Sequence, residues 1–112
     1  MNDSDVVFLC LPDDAAREAV ALAENPDTVI IDASTAHRTK EGWAYGFPEL
    51  SHAHREAIVH GKRIANPGCY ASGFISLVRP LIVNGIADAD YPFVCHAVSG
   101  YSGAGKKGIA QY

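Results

Sequence analysis

Residues 65–73 read ANPGCYASG and place Cys69 directly after an Asn-Pro-Gly turn. Pro67 and Gly68 are typical of a sharp turn, and the residues that follow predict a helix beginning at Cys69. A thiol at that position lies beside backbone N–H groups without intrahelical partners, whose partial positive charge favours the thiolate. The spacing therefore indicates a nucleophilic cysteine, with small neighbours that leave room for a substrate. The alternative is a small buried hydrophobic residue at a strand–helix junction.

A glycine-rich stretch near the end of the chain is a second candidate for chemistry. From Gly100 to Lys106 it has the outline G-x-x-x-x-G-K of a phosphate-binding P-loop. The next residue is Lys107, where magnesium coordination needs Ser or Thr, so a true P-loop is not expected. Exposed backbone N–H groups and two lysines still suit a phosphate or a carboxylate. The alternative is a flexible glycine-rich surface turn.

The stretch DASTAHR, residues 32–38, follows a predicted strand. In an open parallel sheet, ligands bind at the carboxyl ends of the strands. Ser34 and Arg38 are therefore candidates, and Arg38 has the charge to meet a phosphate or an acidic partner. The alternative is that Asp32 and Ser34 cap the loop and that Arg38 is a solvated charge.

The elements that would position these residues begin with a strand, a helix and a second strand. Short apolar runs at 5–11 and 28–34 predict two buried strands. Between them, Asp13 is the predicted N-cap of an amphipathic helix. Such a unit implies a right-handed parallel crossover, and hence an α/β fold. The apolar face of the helix consists of Ala15, Ala19, Val20 and Leu22.

The rest of the chain predicts alternating elements and loops, with Pro80 kinking or ending a long helix. In chain order they are a loop at 35–50 across the open end of the sheet, a helix between the caps Ser51 and Gly61, a short strand at 62–68, a helix at 69–85, a strand at 91–100 and the glycine-rich loop.

Composition limits the possible classes of function. The length of 112 residues suits one domain at most, and 48% apolar residues suffice for a core. A net charge of −4 gives no reason to expect nucleic acid or a membrane surface as a partner. The lack of a spanning segment or export signal favours the cytoplasm. Three widely spaced cysteines predict neither a disulfide framework nor a metal site, and Cys10 and Cys95 are expected to be buried mid-strand residues.

Both ends of the chain suggest a piece of a longer protein. A unit of this kind would carry a G-x-G-x-x-G phosphate loop after a first strand, and no such loop is present in the sequence. The last residues, KKGIAQY, follow a glycine loop without a closing element.

Five stretches together carry a resemblance to a known family: FLCLPDDAAREAV, IDASTAHRT, GWAYGFPEL, ANPGCYASG and HAVSGYSGAGKKG. In this order they resemble N-acetyl-gamma-glutamyl-phosphate reductase of arginine biosynthesis, in its shorter bacterial branch. The resemblance implies an enzyme that reduces the acyl phosphate N-acetyl-glutamyl 5-phosphate to N-acetylglutamate 5-semialdehyde with NADPH. It also implies that Cys69 is the nucleophile, which expels phosphate and forms a thioester.

The same resemblance implies a division of the chain and two sets of binding residues. Residues 1–48 would be the end of a Rossmann-like dinucleotide-binding domain, and residues 49–112 the start of an α+β catalytic domain, in a homo-oligomeric parent enzyme. The cofactor-binding residues would be Leu11, Pro12, Ser34, Arg38, Asn66, Ser72, Gly73, Gly103 and Gly105. The substrate-binding residues would be Ser99, Gly100, Ser102 and Lys106.

The family's catalytic histidine, its general base and acid, would lie beyond residue 112. None of the five histidines of this chain is given that role, and the piece alone is expected to be inactive. Three alternatives stay open. They are a reductase similar to aspartate-semialdehyde dehydrogenase, a phosphate-binding α/β module that uses GYSGAGK, and a non-catalytic domain with a buried cysteine.

Overall fold

Four parallel strands form a single sheet. The structure, a computed structural model, describes residues 1–111. The strands lie in the order β1-β2-β4-β3, and every neighbouring pair is parallel, as the predicted α/β fold requires. Their bounds are Val6–Leu9 for β1, Val29–Asp32 for β2, Ala44–Tyr45 for β3 and Arg63–Ala65 for β4.

Four α-helices connect or follow these strands. They are α1 at Asp13–Ala21, α2 at His52–His60, α3 at Cys69–Val83 and α4 at Gly105–Ile109. Two 3-10 helices lie at Pro48–Leu50 and Tyr101–Ala104. The predicted ends of α2 are confirmed, because Ser51 is its N-cap and accepts a hydrogen bond from the His54 amide, and Gly61 is its C-cap.

The N-cap predicted for α1 is wrong. Pro12 occupies the N-cap position, and Asp13 is the first helical residue. The carboxylate of Asp13 instead accepts hydrogen bonds from the backbone N–H and the hydroxyl of Thr35, which follows β2. Asp13 therefore ties the start of α1 to the next loop at the sheet edge.

The core lies on one face of the sheet. Leu9, Ile30 and Ala65 from the strands are buried there, together with Ala16 from α1. On the opposite face Phe8 is 69% exposed, so the prediction of a buried first strand is wrong. The reason is that successive side chains of a strand point to opposite faces, and only one face of β1 is covered. The buried face of α1 also differs from the predicted one. Ala16, which was not assigned to that face, is buried, whereas Leu22, which was, is exposed.

Helix α3 begins at Cys69, as predicted. Pro80 lies inside the helix and does not end it, since the helix continues to Val83. Residues 69–83 contain no buried side chain. One hydrogen bond connects α3 to the preceding 3-10 helix: Arg79 Nε donates to the Leu50 carbonyl at 2.6 Å.

Three predictions for the less regular segments are wrong. Residues 92–100 form no strand; Val94 is 94% exposed, and no described strand pairs with this segment. A strand needs such a partner for its backbone groups and its apolar face. The glycine-rich loop is largely helical, as Tyr101–Ala104 and α4, and the loop at 35–50 contains both β3 and a 3-10 helix.

Candidate functional site

Three loops meet at the carboxyl edge of the sheet. The register pairs Leu9 with Asp32 and Asp32 with Ala65, so β1, β2 and β4 end side by side. The loops that follow them are residues 10–12, 33–38 and 66–68. In open parallel sheets this is the edge at which ligands bind.

Cys69 is exposed at the first position of α3. The first backbone bond of the helix runs from the Ser72 N–H to the Gly68 carbonyl at 2.9 Å. The amides of residues 69–71 precede that bond and have no intrahelical acceptor. The Ser72 hydroxyl also donates to the Gly68 carbonyl, at 2.9 Å. The thiol therefore lies in the first turn of a helix and open to solvent, not in a sealed interior.

A cavity of about 600 Å³ opens beside Cys69. One wall is α3, with Gly73 and Phe74, and the other wall is the segment from Phe93 to Gly103. A volume of this size suits a small-molecule ligand. The predicted site residues that line it are Cys69, Gly73, Ser99, Gly100, Ser102 and Gly103.

The remaining predicted site residues lie outside that cavity lining. Leu11 and Pro12 lie between β1 and α1, Asn66 precedes the turn to α3, and Ser72 is on α3. Gly105 has a φ of 66°, a conformation that favours glycine, at the start of α4, which also carries Lys106. Ser34 and Arg38 belong to the loop after β2.

A buried polar cluster supports the loop after β2. Asp32 and His37 are 0% and 1% exposed, and His37 Nδ1 lies 2.6 Å from Asp32 Oδ2. Ser34 donates to Asp32 through its backbone N–H and its hydroxyl. The His37 ring stacks on Trp43 with a centroid distance of 4.0 Å. The role of His37 was not predicted, since a histidine five residues beyond a strand-end aspartate carries no spacing signal of its own.

The surroundings of the Asp32 carboxyl lower its pKa. Burial acts to raise its pKa, but the hydrogen bonds from His37 and Ser34 outweigh burial and hold the pKa below its ordinary value. The pKa of Asp13 is also lowered, chiefly by the hydrogen bond from the Thr35 hydroxyl. Both carboxylates are thus stabilised as anions by the loop that follows β2.

Arg38 joins two of the three loops. Its Nε donates to the Asn66 carbonyl at 3.0 Å, and its Nη2 donates to the Ala33 carbonyl at 3.3 Å. The side chain therefore connects the loop after β2 to the loop that leads into α3.

The other cysteines differ from expectation. Cys10 and Cys95 are both exposed, so their predicted burial is wrong. Cys10 lies just after β1 and not within it, and Cys95 lies in the segment that forms no strand. Within residues 1–111, no group of three His, Cys, Asp or Glu side chains is arranged to hold a metal ion. Nor does any helix in that part of the chain have the length and apolar character needed to cross a bilayer.

Comparison with known proteins gives relatives over the whole chain. The chain is 54% identical over 112 residues to N-acetyl-gamma-glutamyl-phosphate reductase of Trichormus variabilis, and it covers 35% of the length of that protein. It is 53% identical over 112 residues to N-acetyl-gamma-glutamyl-phosphate reductase 2 of Pseudomonas putida, and covers 36% of it. The Burkholderia cenocepacia reductase is 53% identical over 109 residues, which are 97% of this chain and 35% of the relative. The chain thus spans about a third of the length of these relatives.

No solved structure matches the chain. Two family models do. Residues 69–112 match the semialdehyde dehydrogenase dimerisation domain. Residues 1–58, just over half of the chain, match the semialdehyde dehydrogenase NAD binding domain, and the chain therefore belongs to the semialdehyde dehydrogenase family.

Proposed function

We propose that this chain is the nucleophile-bearing part of an NADPH-dependent N-acetyl-gamma-glutamyl-phosphate reductase of arginine biosynthesis. The observation that carries the proposal is the position of Cys69, exposed at the first residue of α3 and lining the cavity of about 600 Å³. Relatives above 50% identity that bear this name support the choice of substrate.

The proposed reaction begins at the sulfur of Cys69. The thiolate attacks the acyl carbon of N-acetyl-glutamyl 5-phosphate, a carbon–sulfur bond forms, and the carbon–oxygen bond to phosphate breaks. Phosphate leaves and the acyl group remains on Cys69 as a thioester. Bound NADPH would supply the hydride that reduces the thioester carbon to an aldehyde, and the carbon–sulfur bond would break to release the Cys69 thiolate. The free N–H groups at the start of α3 are suited to stabilise the oxyanion at each step.

The binding residues belong to the same proposal. Dinucleotide binding at the edge of the sheet is supported by the exposed apolar side chain of Leu11 and the exposed amide of Asn66 beside strand ends. Ser99, Gly100 and Ser102 face the cavity opposite α3 and are proposed to contact substrate, with Lys106 attracting its phosphate. The cofactor side is proposed to comprise Leu11, Pro12, Ser34, Arg38, Asn66, Ser72, Gly73, Gly103 and Gly105.

The proposal also covers the oligomeric state of the protein, its cellular compartment and its division into domains. The match of residues 69–112 to a dimerisation domain supports a homo-oligomer. Three free thiols suit a reducing compartment, and we place the protein in the cytoplasm. The division into a dinucleotide-binding part at 1–48 and a catalytic part at 49–112 is also a proposal. Two family models support a division of the chain into two parts, although the first of them runs on to residue 58.

A chimera tests the proposed function. These 112 residues replace the matching segment of the Trichormus variabilis reductase, with which they share 54% identity. The reverse reaction is followed by NADPH absorbance, with N-acetylglutamate 5-semialdehyde, phosphate and NADP⁺ as reactants. We expect turnover in the chimera and its loss in Cys69→Ser, with Arg55→Ala, an exposed residue of α2 outside the cavity lining, as the control that retains turnover.

Two other outcomes would overturn the proposal. Turnover of aspartate 4-semialdehyde in preference to the N-acetylglutamate compound would assign the chain to the other acyl-phosphate reductase. Full turnover in Cys69→Ser would remove the nucleophile from the mechanism.

A further inference from the structure

The guanidinium of Arg38 bridges the chain just after β2 and the chain just after β4. It donates to the carbonyl oxygens of Ala33 and Asn66, at 3.3 and 3.0 Å. A planar guanidinium holds two acceptors at a set spacing and angle, which a single rotating ammonium group does not do. The two contacts therefore fix the loop 33–38 against residues 66–68.

The guanidinium also lies against the turn that precedes Cys69. A Cβ built on Gly68 would lie 2.7 Å from Arg38 Nη1, closer than real Cβ atoms approach. Gly68 has φ −87° and ψ 152°, a conformation that any residue adopts. The need for glycine here is therefore the space that Arg38 fills. Because Gly68 is the N-cap of α3, its position determines where Cys69 enters the helix.

The loop residues that precede Arg38 are fixed by contacts of their own. It follows His37, whose ring lies between the buried Asp32 carboxylate and Trp43. The Ala36 N–H donates to the Ser34 hydroxyl oxygen at 3.1 Å, which closes the same loop on itself. The base of the Arg38 side chain is thus fixed by buried contacts, and its tip reaches the turn before the thiol.

We propose that Arg38 is a positioning residue, which holds residues 66–68 so that the Cys69 thiol stays beside the free N–H groups of α3. The inference rests on the proposed role of Cys69 as nucleophile. Those N–H groups stabilise an anionic sulfur only when the turn keeps it within their reach. Loss of the guanidinium frees the turn and slows the reactions of Cys69.

Site-resolved alkylation of this chain tests the proposal. Iodoacetamide is added at neutral pH, and mass spectrometry of peptides follows Cys69, Cys10 and Cys95 in the same molecule. In Arg38→Ala we expect the Cys69 rate to fall roughly three- to tenfold, as for loss of a charge-assisted contact. The rates at the two other cysteines stay within about twofold of the unaltered chain. Arg55→Ala, on exposed α2, is the matched control and leaves all three rates unchanged.

Gly68→Ala disturbs the contact between Arg38 and the turn by a change in the turn. Its Cβ displaces the flexible tip of Arg38 without backbone strain, so the Cys69 rate falls here as well. In Arg38→Ala with Gly68→Ala the second change has nothing left to displace, and the rate is no lower than in Arg38→Ala alone. Arg38→Lys keeps the charge but cannot bridge both carbonyls, and stays slow.

An unchanged Cys69 rate in Arg38→Ala overturns the proposal, as does full recovery in Arg38→Lys, which would assign the effect to charge alone. If all three rates rise together in Arg38→Ala, the chain has loosened throughout, and Gly68→Ala decides the question: an unchanged Cys69 rate there overturns the proposal. Alkylation needs neither substrate nor NADPH. The role of Arg38 can therefore fail while the chimera turns over, and the reaction can fail while the alkylation rates behave as expected.

Discussion

Two regions beside the candidate site, the sheet edge and the segment after α3, are held in different ways. At the sheet edge, the loop after β2 is held by Thr35 to Asp13 at the start of α1, by His37 to Asp32 at the end of β2, and by Arg38 to Asn66 after β4. Across the cavity, the segment after α3 keeps large apolar side chains in solvent, with Val94 and Val98 at 94% and 87% exposed. The nucleophile thus follows directly on the tightly held sheet edge, and the glycine- and serine-rich residues that face it across the cavity come from the loosely held segment.

The difference between the two regions shows which part of the molecule can fix the position of the Cys69 thiol. A reacting thiol must be placed to within a fraction of an ångström, which needs a rigid support. The buried Asp32–His37 pair and the Arg38 bridge supply that support. The opposite wall can adjust to a ligand at little energetic cost, because few contacts must be broken when it moves.

The largest expected effect comes from breaking the buried support. Asp32→Asn leaves His37 and Ser34 facing a neutral amide in place of a buried carboxylate. A buried donor left without its acceptor costs about 1–3 kcal/mol of the free energy of unfolding, and three donors lose the carboxylate here. Urea unfolding followed by fluorescence of Trp43, the single tryptophan, measures the change directly, because its ring stacks on His37. An unfolding free energy unchanged by the substitution would show that the cluster does not support the edge.

The same pair predicts how stability responds to acid. Because the pKa of Asp32 is lowered in the folded chain, its contribution is fully present above the ordinary value of 3.8 and is lost as the pH falls through the folded value. The stability advantage of the unaltered chain over Asp32→Asn should therefore shrink as the pH falls below that range. Unfolding curves of both chains at a series of pH values measure it. An advantage that grows on acidification would contradict the assignment.

An exposed carboxylate at the same edge sharpens the comparison. Asp13→Asn also loses an anion bonded to the loop after β2, but solvent is available to the groups left behind. We expect its urea midpoint to move much less than that of Asp32→Asn. Equal shifts in the two variants would mean that burial is not what distinguishes them.

The smallest effect is expected on the loosely held wall. Val94→Ser removes an apolar side chain that is already in water, and should change the free energy of unfolding by about 0.5 kcal/mol or less. The same urea experiment measures it. A loss comparable to that of Asp32→Asn would show that residues 92–100 pack more firmly than their exposure indicates.

Turn and cap residues in the sequence predicted the ends of two helices and the position of Cys69. The turn at Pro67–Gly68 marks the start of α3, and Ser51 and Gly61 mark the ends of α2, because each acts through its own neighbours. Exposure of Phe8 and Val94 was not predictable, since burial depends on what lies across a face and not on the residue type. The cluster around Asp32 was missed for a related reason. Its stacking partner Trp43 reaches His37 only through the folded loop.

Acyl transfer in the absence of NADPH tests the central claim most directly. The chimera is mixed with N-acetyl-glutamyl 5-phosphate, generated from the acid and ATP by its kinase, and its cysteine peptides are analysed by mass spectrometry. The account predicts one acyl group, bound to Cys69, released by hydroxylamine and absent from Cys69→Ser, with Cys10 and Cys95 unmodified. An acyl group on Cys95, or its persistence in Cys69→Ser, would contradict the account.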